Sequence, residues 1–300
     1  MEALVKLSFY CFTAASISLG AAAVCYVAYA VGRIRVRRTV LATTTGTTFT
    51  SSMTEFEPGS IGAGRFGSLL AWFGLFFAFL AVILRTFASH RGPYSNMYEF
   101  SLAFIFTATL IYLIFERMYG VKQLGAIVIP IAFGMTLYVW QLPSGMREVE
   151  ALNPALQNPT LMTFHVSMAI LSYSTFAVSF AAAILYLIAS RKTISWLPSA
   201  EMLDDIGYRA VTLGFPMLAL VLILGSVWAY QAWGSYWSWD PKETSALFTW
   251  LVYGVYLHTR TLRGWRGTRS AIILLAGFGA VIFTYYGNYF FGGLHAYGGV

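Results

Sequence analysis

The sequence predicts an all-α, polytopic membrane protein with eight transmembrane helices. Of its 300 residues, 58% are hydrophobic and only 10% are charged, whereas a soluble domain carries roughly 25% charged residues. A water-soluble core is therefore excluded. Because a spanning helix needs about 20 apolar residues, we expect helices at approximately 7–32, 67–85, 98–115, 124–142, 161–190, 209–228, 244–262 and 270–290.

The first apolar stretch is interpreted as a retained helix. A secretory signal has its positive charges before the apolar run, but here four arginines follow it, between residues 33 and 38. We therefore divide the chain into two parts. Residues 1–66 form the first transmembrane helix and a Thr/Ser-rich cytoplasmic linker, and residues 67–300 form a seven-helix core.

The basic residues predict the orientation. Positive residues accumulate in cytoplasmic loops, and all but five of the 19 Lys and Arg residues lie in the loops after helices one, three, five and seven. We therefore expect both termini on the outer side. The exceptions are Lys6, Arg85, Arg91, Arg147 and Lys242. Topology thus explains the net charge of +7, and no nucleic-acid partner is expected because the basic residues are spread over four loops.

The two cysteines do not form a disulfide with each other. Cys11 and Cys25 both lie in the first helix, about 21 Å apart along its axis. A disulfide requires Cα atoms within about 7 Å. Any thiol chemistry would therefore use thiols of another polypeptide.

The outer loop predicted at 228–243 is rich in tryptophan. It contains four of the nine tryptophans and ends in Asp-Pro-Lys-Glu. One interpretation is an aromatic belt at the membrane interface, but a belt has no fixed order, and here the aromatics alternate with Gly234. The pattern favours a shaped surface for a flat, wide, apolar ligand such as a porphyrin. Spacing alone does not name the porphyrin. The tryptophans are Trp228, Trp233, Trp237 and Trp239.

Two of the four histidines border the same outer face. His165 lies near the start of helix five, and His295 follows the end of helix eight. Neutral imidazole is a common axial ligand of haem iron, so this pair indicates a haem site. His258 lies within helix seven, where ionisable residues are functional by default, although a core histidine bonded to a neighbouring helix is the alternative. We expect a structural or interfacial role for His90.

The segment 233–243, Trp-Gly-Ser-Tyr-Trp-Ser-Trp-Asp-Pro-Lys-Glu, resembles the tryptophan-rich "WWD" signature of the haem-handling proteins of cytochrome c maturation. Eight helices with this signature between the sixth and the seventh are similar to the CcsA (ResC) family of system II cytochrome c synthases. Ser-Asn-Met-Tyr-Glu at 95–99 and Gly-Leu-His at 293–295 also resemble family segments. The resemblance extends from about residue 90 to the C-terminus.

The resemblance implies a holocytochrome c synthase (haem lyase) subunit that is active only with a CcsB/ResB partner. Its substrate would be haem b, with His165 and His295 as external ligands of the iron. His258 would pair with a histidine of the partner in a second, deeper site. The expected contacts to the macrocycle are Trp228, Trp233, Trp237, Trp239 and Asp240. Asp240 and Glu243 could instead cap helix seven, since acidic groups favour a helix N-terminus.

The resemblance also implies a path for haem. Haem would move from His258 to the outer site and be presented there to the Cys-x-x-Cys-His segment of apocytochrome c, with thiol-reducing factors as further partners. The membrane would be the plasma (inner) membrane, or the thylakoid membrane in a phototroph. Two other functions stay open from the sequence: a CcmC-type haem transport or delivery protein without ligase activity, and a b-type electron-transfer cytochrome.

Overall fold

The computed structural model describes residues 2–43, 58–92, 94–149, 151–152, 156–191, 197–262, 265–287 and 291–295. In these ranges the regular structure is helical, in the order α1 Glu2–Thr43, α2 Pro58–Ser89, α3 Met97–Tyr119, α4 Gly125–Gln141, α5 Pro159–Arg191, α6 Ala200–Trp233, α7 Pro241–Thr259 and α8 Thr268–Tyr286. Two short 3₁₀ helices, Lys122–Leu124 and Ser144–Arg147, flank α4. Part of the predicted linker, 44–57, lies outside the described residues.

The all-helical prediction is confirmed. Seven of the eight helices are long and apolar enough to cross a membrane, as expected for a multi-pass membrane protein. The exception is α7, which carries Lys242 and Glu243 in its first turn and includes several hydroxyl side chains. The count of eight transmembrane helices and the side of each terminus therefore stay predictions.

The helix α6 is longer at both ends than the sequence predicted. It begins at Ala200, where the hydroxyl of Ser199 accepts a hydrogen bond from the Met202 amide. It ends at Trp233, where Gly234 takes the left-handed conformation with φ 77°, which glycine adopts without steric cost. The predicted loop 228–243 is thus wrong in its extent, because the segment joining α6 to α7 comprises 234–240.

The helices alternate in direction. The start of α1 contacts the end of α2, where the Ser8 hydroxyl donates to the Ala81 carbonyl at 2.8 Å. The start of α3 contacts the end of α8 through the hydroxyls of Ser101 and Tyr285, 2.6 Å apart. We call this end of the bundle, where α1, α3, α5 and α7 begin, the upper end. It is the end that the positive-inside rule places outside.

Small side chains let the first two helices pack closely. Ala15 and Ala22 of α1 and Ala71 and Ala78 of α2 are fully buried, and small residues allow helix backbones to approach in a membrane. α5 is buried along most of its length. It therefore forms the centre of the bundle and carries its side chains between the other helices.

An ion cluster fixes the connections at the upper end. The fully buried carboxylate of Glu99 accepts from Arg85 Nε and from Arg91 Nη1, each at 2.8 Å. It also accepts from the Ser95 hydroxyl at 2.6 Å. The Asn96 side chain caps α3 by accepting from the Glu99 amide. These bonds hold residues 94–97 in one conformation beside the cavity described next.

Candidate functional site

A cavity opens at the upper end of the bundle, between α3, α5, α6, α7 and α8. It contains about 1350 Å³ of empty space, including space that opens to the surroundings. Its lining includes His165, His295, Trp228, Trp237, Lys242 and Glu243. The structure thus brings together His165 and His295, which are 130 positions apart in the sequence.

Both predicted outer histidines lie beside the indole of Trp228. The ring centroids of His165 and Trp228 are 6.5 Å apart with nearly parallel planes, and those of His295 and Trp228 are 5.3 Å apart. Trp233 packs edge-on against Trp228 at 4.7 Å and against His295 at 5.3 Å. Trp228 itself is buried. This indole therefore sets the relative positions of the two imidazoles.

His165 is held by α5 in a rigid position. A Cβ added at Gly225 of α6 would lie 2.8 Å from His165 Cε1, so the ring rests directly on the α6 backbone. Its Nδ1 is buried and has no hydrogen-bond partner among the described residues. Leaving a buried polar atom unpaired costs about 1–3 kcal/mol. This nitrogen is therefore available to a ligand.

His295 is oriented by Asp240. Its Nδ1 lies 2.8 Å from Asp240 Oδ1, and because an ionised carboxylate only accepts hydrogen bonds, we assign the proton to Nδ1. The other nitrogen, Nε2, is then in the unprotonated form that ligates metals. Burial lowers the pKa of His295, aided by the charge of Lys242 and opposed by that of Asp240, so the imidazole is neutral at pH 7.

Asp240 also caps α7. Its Oδ1 accepts a hydrogen bond from the Lys242 amide at 2.9 Å. The Glu243 carboxylate accepts in turn from the Asp240 amide, which completes a capping box. Burial opposes the ionisation of Asp240, but these hydrogen bonds together with His295 and the Leu294 amide hold its pKa below the usual value. The predicted capping role is confirmed, and the structure adds the bond to the histidine.

The close approach of Asp240 to the C-terminal segment requires a glycine. Oδ2 of Asp240 accepts from the Leu294 amide at 2.6 Å. A Cβ added at Gly293 would lie 2.3 Å from the same oxygen, far inside van der Waals contact. One carboxylate thus binds the C-terminal segment at two successive residues, Leu294 and His295.

The four tryptophans do not form one continuous platform. Trp228 and Trp237 line the cavity, and Trp233 packs edge-on against Trp228. Trp239 does not line it: its side chain is 69% exposed and its backbone has φ 58°, which is uncommon for a bulky residue. The rings of Trp237 and Trp239 meet edge to face at 5.6 Å. Trp239 is therefore a side chain of the outer rim.

The other two histidines lie away from the cavity. His258 is in the last turn of α7 with an exposed side chain, about 26 Å along the helix axis from Pro241. It therefore lies towards the lower end of the bundle, far from the cavity. His90 is exposed after the end of α2, with φ 55°.

Sequence reasoning missed several side chains that line the cavity. Tyr94, Asn96 and Phe100 come from the start of α3 and the segment before it, and Tyr173 comes from α5. The segment 95–99 was recognised by its family resemblance, but the sequence did not indicate that it lines the cavity. Tyr173 gave none, because a tyrosine within an apolar helix does not show which direction it faces.

The matched family covers most of these elements. Residues 94–295 match the family described as "Cytochrome C assembly protein". This match spans more than half of the chain and includes every helix that lines the cavity, so the chain belongs to that family.

Several relatives show which group of this family the chain belongs to. The chain is similar to three proteins named "Cytochrome c biogenesis protein CcsA". The one from Chlamydomonas reinhardtii is 40% identical over 231 residues, which cover 73% of this chain and 64% of the relative. Those from Synechococcus elongatus (37% identical over 257 residues, 69% of this chain and 79% of the relative) and Mesostigma viride (35% identical over 264 residues, 78% of this chain and 86% of the relative) are covered more fully. They place the chain in the CcsA group, which confirms the predicted resemblance. The chain thus spans just under two thirds of the Chlamydomonas relative.

A solved structure has a similar fold. The protein named "Cytochrome c Heme Lyase CcmF" is similar with a TM-score of 0.55 at 17% identity, over 91% of this chain and 46% of that chain. At this identity the similarity shows the fold alone.

Proposed function

We propose that this chain is a haem-handling subunit of a cytochrome c synthase that holds haem b in the upper cavity, with its iron between His165 and His295. The observation that supports this most directly is the placement of both imidazoles beside Trp228, in a cavity with aromatic walls. Haem is the substrate of the reaction. The unpartnered Nδ1 of His165 and the Asp240-oriented imidazole of His295 fit an iron with two axial nitrogen ligands.

The reaction that this site would support is thioether formation. The two thiols of an apocytochrome Cys-x-x-Cys-His segment each add as S–H across one vinyl C=C of haem, so that no atom is lost. The protein supplies positioning, which can lower a barrier by about 7–11 kcal/mol. The histidine of the client then replaces one of the two protein ligands.

The test uses the two histidines separately. We expect His165→Gly and His295→Gly, each co-purified with the partner subunit, to lose haem or its low-spin spectrum, and added imidazole to restore it. His90→Gly is the matched control, because that side chain is exposed and outside the cavity. If both variants keep the wild-type haem content and spectrum without imidazole, the proposed site is wrong.

We propose that His258 belongs to a second site, shared with a CcsB/ResB-type partner. Its side chain is exposed on the same stripe of α7 as Phe248, Leu251, Val255 and, just beyond the helix, Leu262, at alternating spacings of three and four residues. An imidazole that faces lipid is costly, so a partner histidine with haem between the two is a better environment. α7 is also the helix that lacks the apolarity of a membrane span among the eight described.

The second site has its own test. We expect His258→Ala to lower the haem that reaches the upper cavity, while haem added from outside still binds there. Thr261→Ala, a neighbouring change outside the stripe, is the control. Unchanged haem loading of His258→Ala in cells would remove this residue from the path.

The same preparations separate the alternative functions. Thioether-linked cytochrome c formed by this chain and its partner, without other maturation factors, supports the synthase. Haem export without thioether formation would instead support a CcmC-type transporter. A haem that cycles between oxidation states and is never delivered would support a b-type cytochrome.

A further inference from the structure

We propose that the ammonium group of Lys242 binds a propionate carboxylate of haem and thereby selects porphyrins with free carboxylates. The inference rests on the proposed function and identifies the side chain that would bind the anionic groups of the same substrate. It depends on three features: the position of Lys242, the occupation of its neighbouring carboxylates, and the positions of the other cations at the upper end.

Lys242 lines the cavity that contains both histidines. It is the second residue of α7, and Asp240 Oδ1, which accepts from its backbone amide, also bonds to His295. Its side chain forms no ion pair with any described residue. The cavity therefore contains a cation close to the site proposed for the iron, without a partner from the described part of the chain.

The nearby acidic groups are engaged elsewhere. Asp240 accepts from His295, from the Leu294 amide and from the backbone amide of Lys242. Glu243 accepts from the amide of Ser238 at 2.9 Å, from its hydroxyl at 3.2 Å and from the Asp240 amide at 3.3 Å. Both carboxylates thus serve the α7 cap and the connecting segment, and neither bonds to the Lys242 ammonium.

The position of Lys242 in the helix is unfavourable without an anion. The N-terminus of a helix has a partial positive charge, so a cation in the first turn is repelled by the helix dipole. An anionic ligand group bound at this point would be favoured by both the ammonium and the helix N-terminus.

The other cations expected at the upper end are already bound to protein groups. Arg85 and Arg91 pair with Glu99. Arg147 stacks over the ring of Phe9 at 4.6 Å and over Trp140 at 5.7 Å. Lys6 pairs with Glu2 at the exposed start of α1. Among the described residues, Lys242 is thus the basic side chain that lines the cavity.

The experiment compares two porphyrins and three variants of the full chain, co-purified with its partner. Absorption titrations measure the binding of haem and of haem dimethyl ester, in which both propionates are uncharged. Lys242→Met removes the charge at similar side-chain length, and Lys242→Arg keeps it. Lys6→Met is the matched control, since it removes another charge at the upper end, outside the cavity.

We expect wild type to bind haem about tenfold or more tightly than the ester, as for one charge-assisted hydrogen bond. Lys242→Met should lose that preference by binding haem more weakly and the ester as before, whereas Lys242→Arg and Lys6→Met should keep it. If Lys242→Met lost affinity for both porphyrins equally, or kept the wild-type preference for haem, the inference about Lys242 would be wrong while the proposed function would stand. Wild type that binds neither porphyrin would overturn the proposed function as well.

Discussion

The carboxylate of Asp240 offers the sharpest test of how the site is built. It performs two tasks at once, because it caps α7 and holds the C-terminal segment through Leu294 and His295. Asp240→Ala removes both tasks. Asp240→Ser removes mainly the second, because serine is a good N-cap but its shorter side chain does not reach the imidazole.

Each task has a typical energetic magnitude. Loss of an N-cap costs about 0.5–2 kcal/mol of stability. Loss of a hydrogen-bonded carboxylate behind a ligating histidine typically weakens metal binding about 10–100-fold, which corresponds to about 1.4–2.7 kcal/mol. We therefore expect both Asp240 variants to bind haem about 10–100-fold more weakly than wild type, and only Asp240→Ala to lose cap stability as well.

The assay combines an absorption titration with haem and thermal unfolding in detergent. Ser199→Ala is the matched control, since it removes the N-cap of α6 at the lower end and should lower stability without changing haem affinity. If Asp240→Ser binds haem within about twofold of wild type, with the same spectrum and without added imidazole, the carboxylate does not position the histidine.

Three further predictions concern the surroundings of this carboxylate. Gly293→Ala places a Cβ against Asp240 Oδ2, so we expect it to displace His295 and to give a haem spectrum rescued by imidazole, with little change in unfolding temperature; a wild-type spectrum would contradict the contact. Glu99→Gln leaves two buried guanidinium groups without their anion, and we expect a loss of about 3–5 kcal/mol in unfolding free energy; a change below about 1 kcal/mol would contradict the buried pair. Because burial and Lys242 lower the pKa of His295, the imidazole stays neutral as the pH falls below its ordinary value of about 6.5. A pH titration of the low-spin spectrum should therefore lose ligation at a higher pH in Lys242→Met than in wild type, and coincident curves would refute this.

The sequence was sufficient for the helices because apolar length is a direct consequence of the bilayer. Each predicted span lies largely within one observed helix. The sequence was insufficient to predict the residues at which the helices begin and end. The first turns of α6 contain Glu201, Asp204 and Asp205, which hydropathy excludes from a span but which continue the same helix beyond the apolar part.

The same limit explains the errors in the site. Trp228 was placed in a loop because it begins an aromatic segment, yet α6 continues to Gly234, the first residue that favours a left-handed conformation. His165 and His295 were found because topology counting places them at one end of the bundle. Their shared contact with Trp228 and the orientation of Trp239 depend on side-chain packing, which no local pattern in the sequence specifies.

The two histidines beside Trp228 have unequal anchorage. His165 is part of a long helix and rests on the backbone at Gly225, whereas His295 lies on a non-helical segment attached through one carboxylate. In the proposed haem site, this asymmetry predicts the order in which the two ligands leave the iron. We expect the client histidine to displace His295, the labile ligand, so that the finished cytochrome departs last from His165.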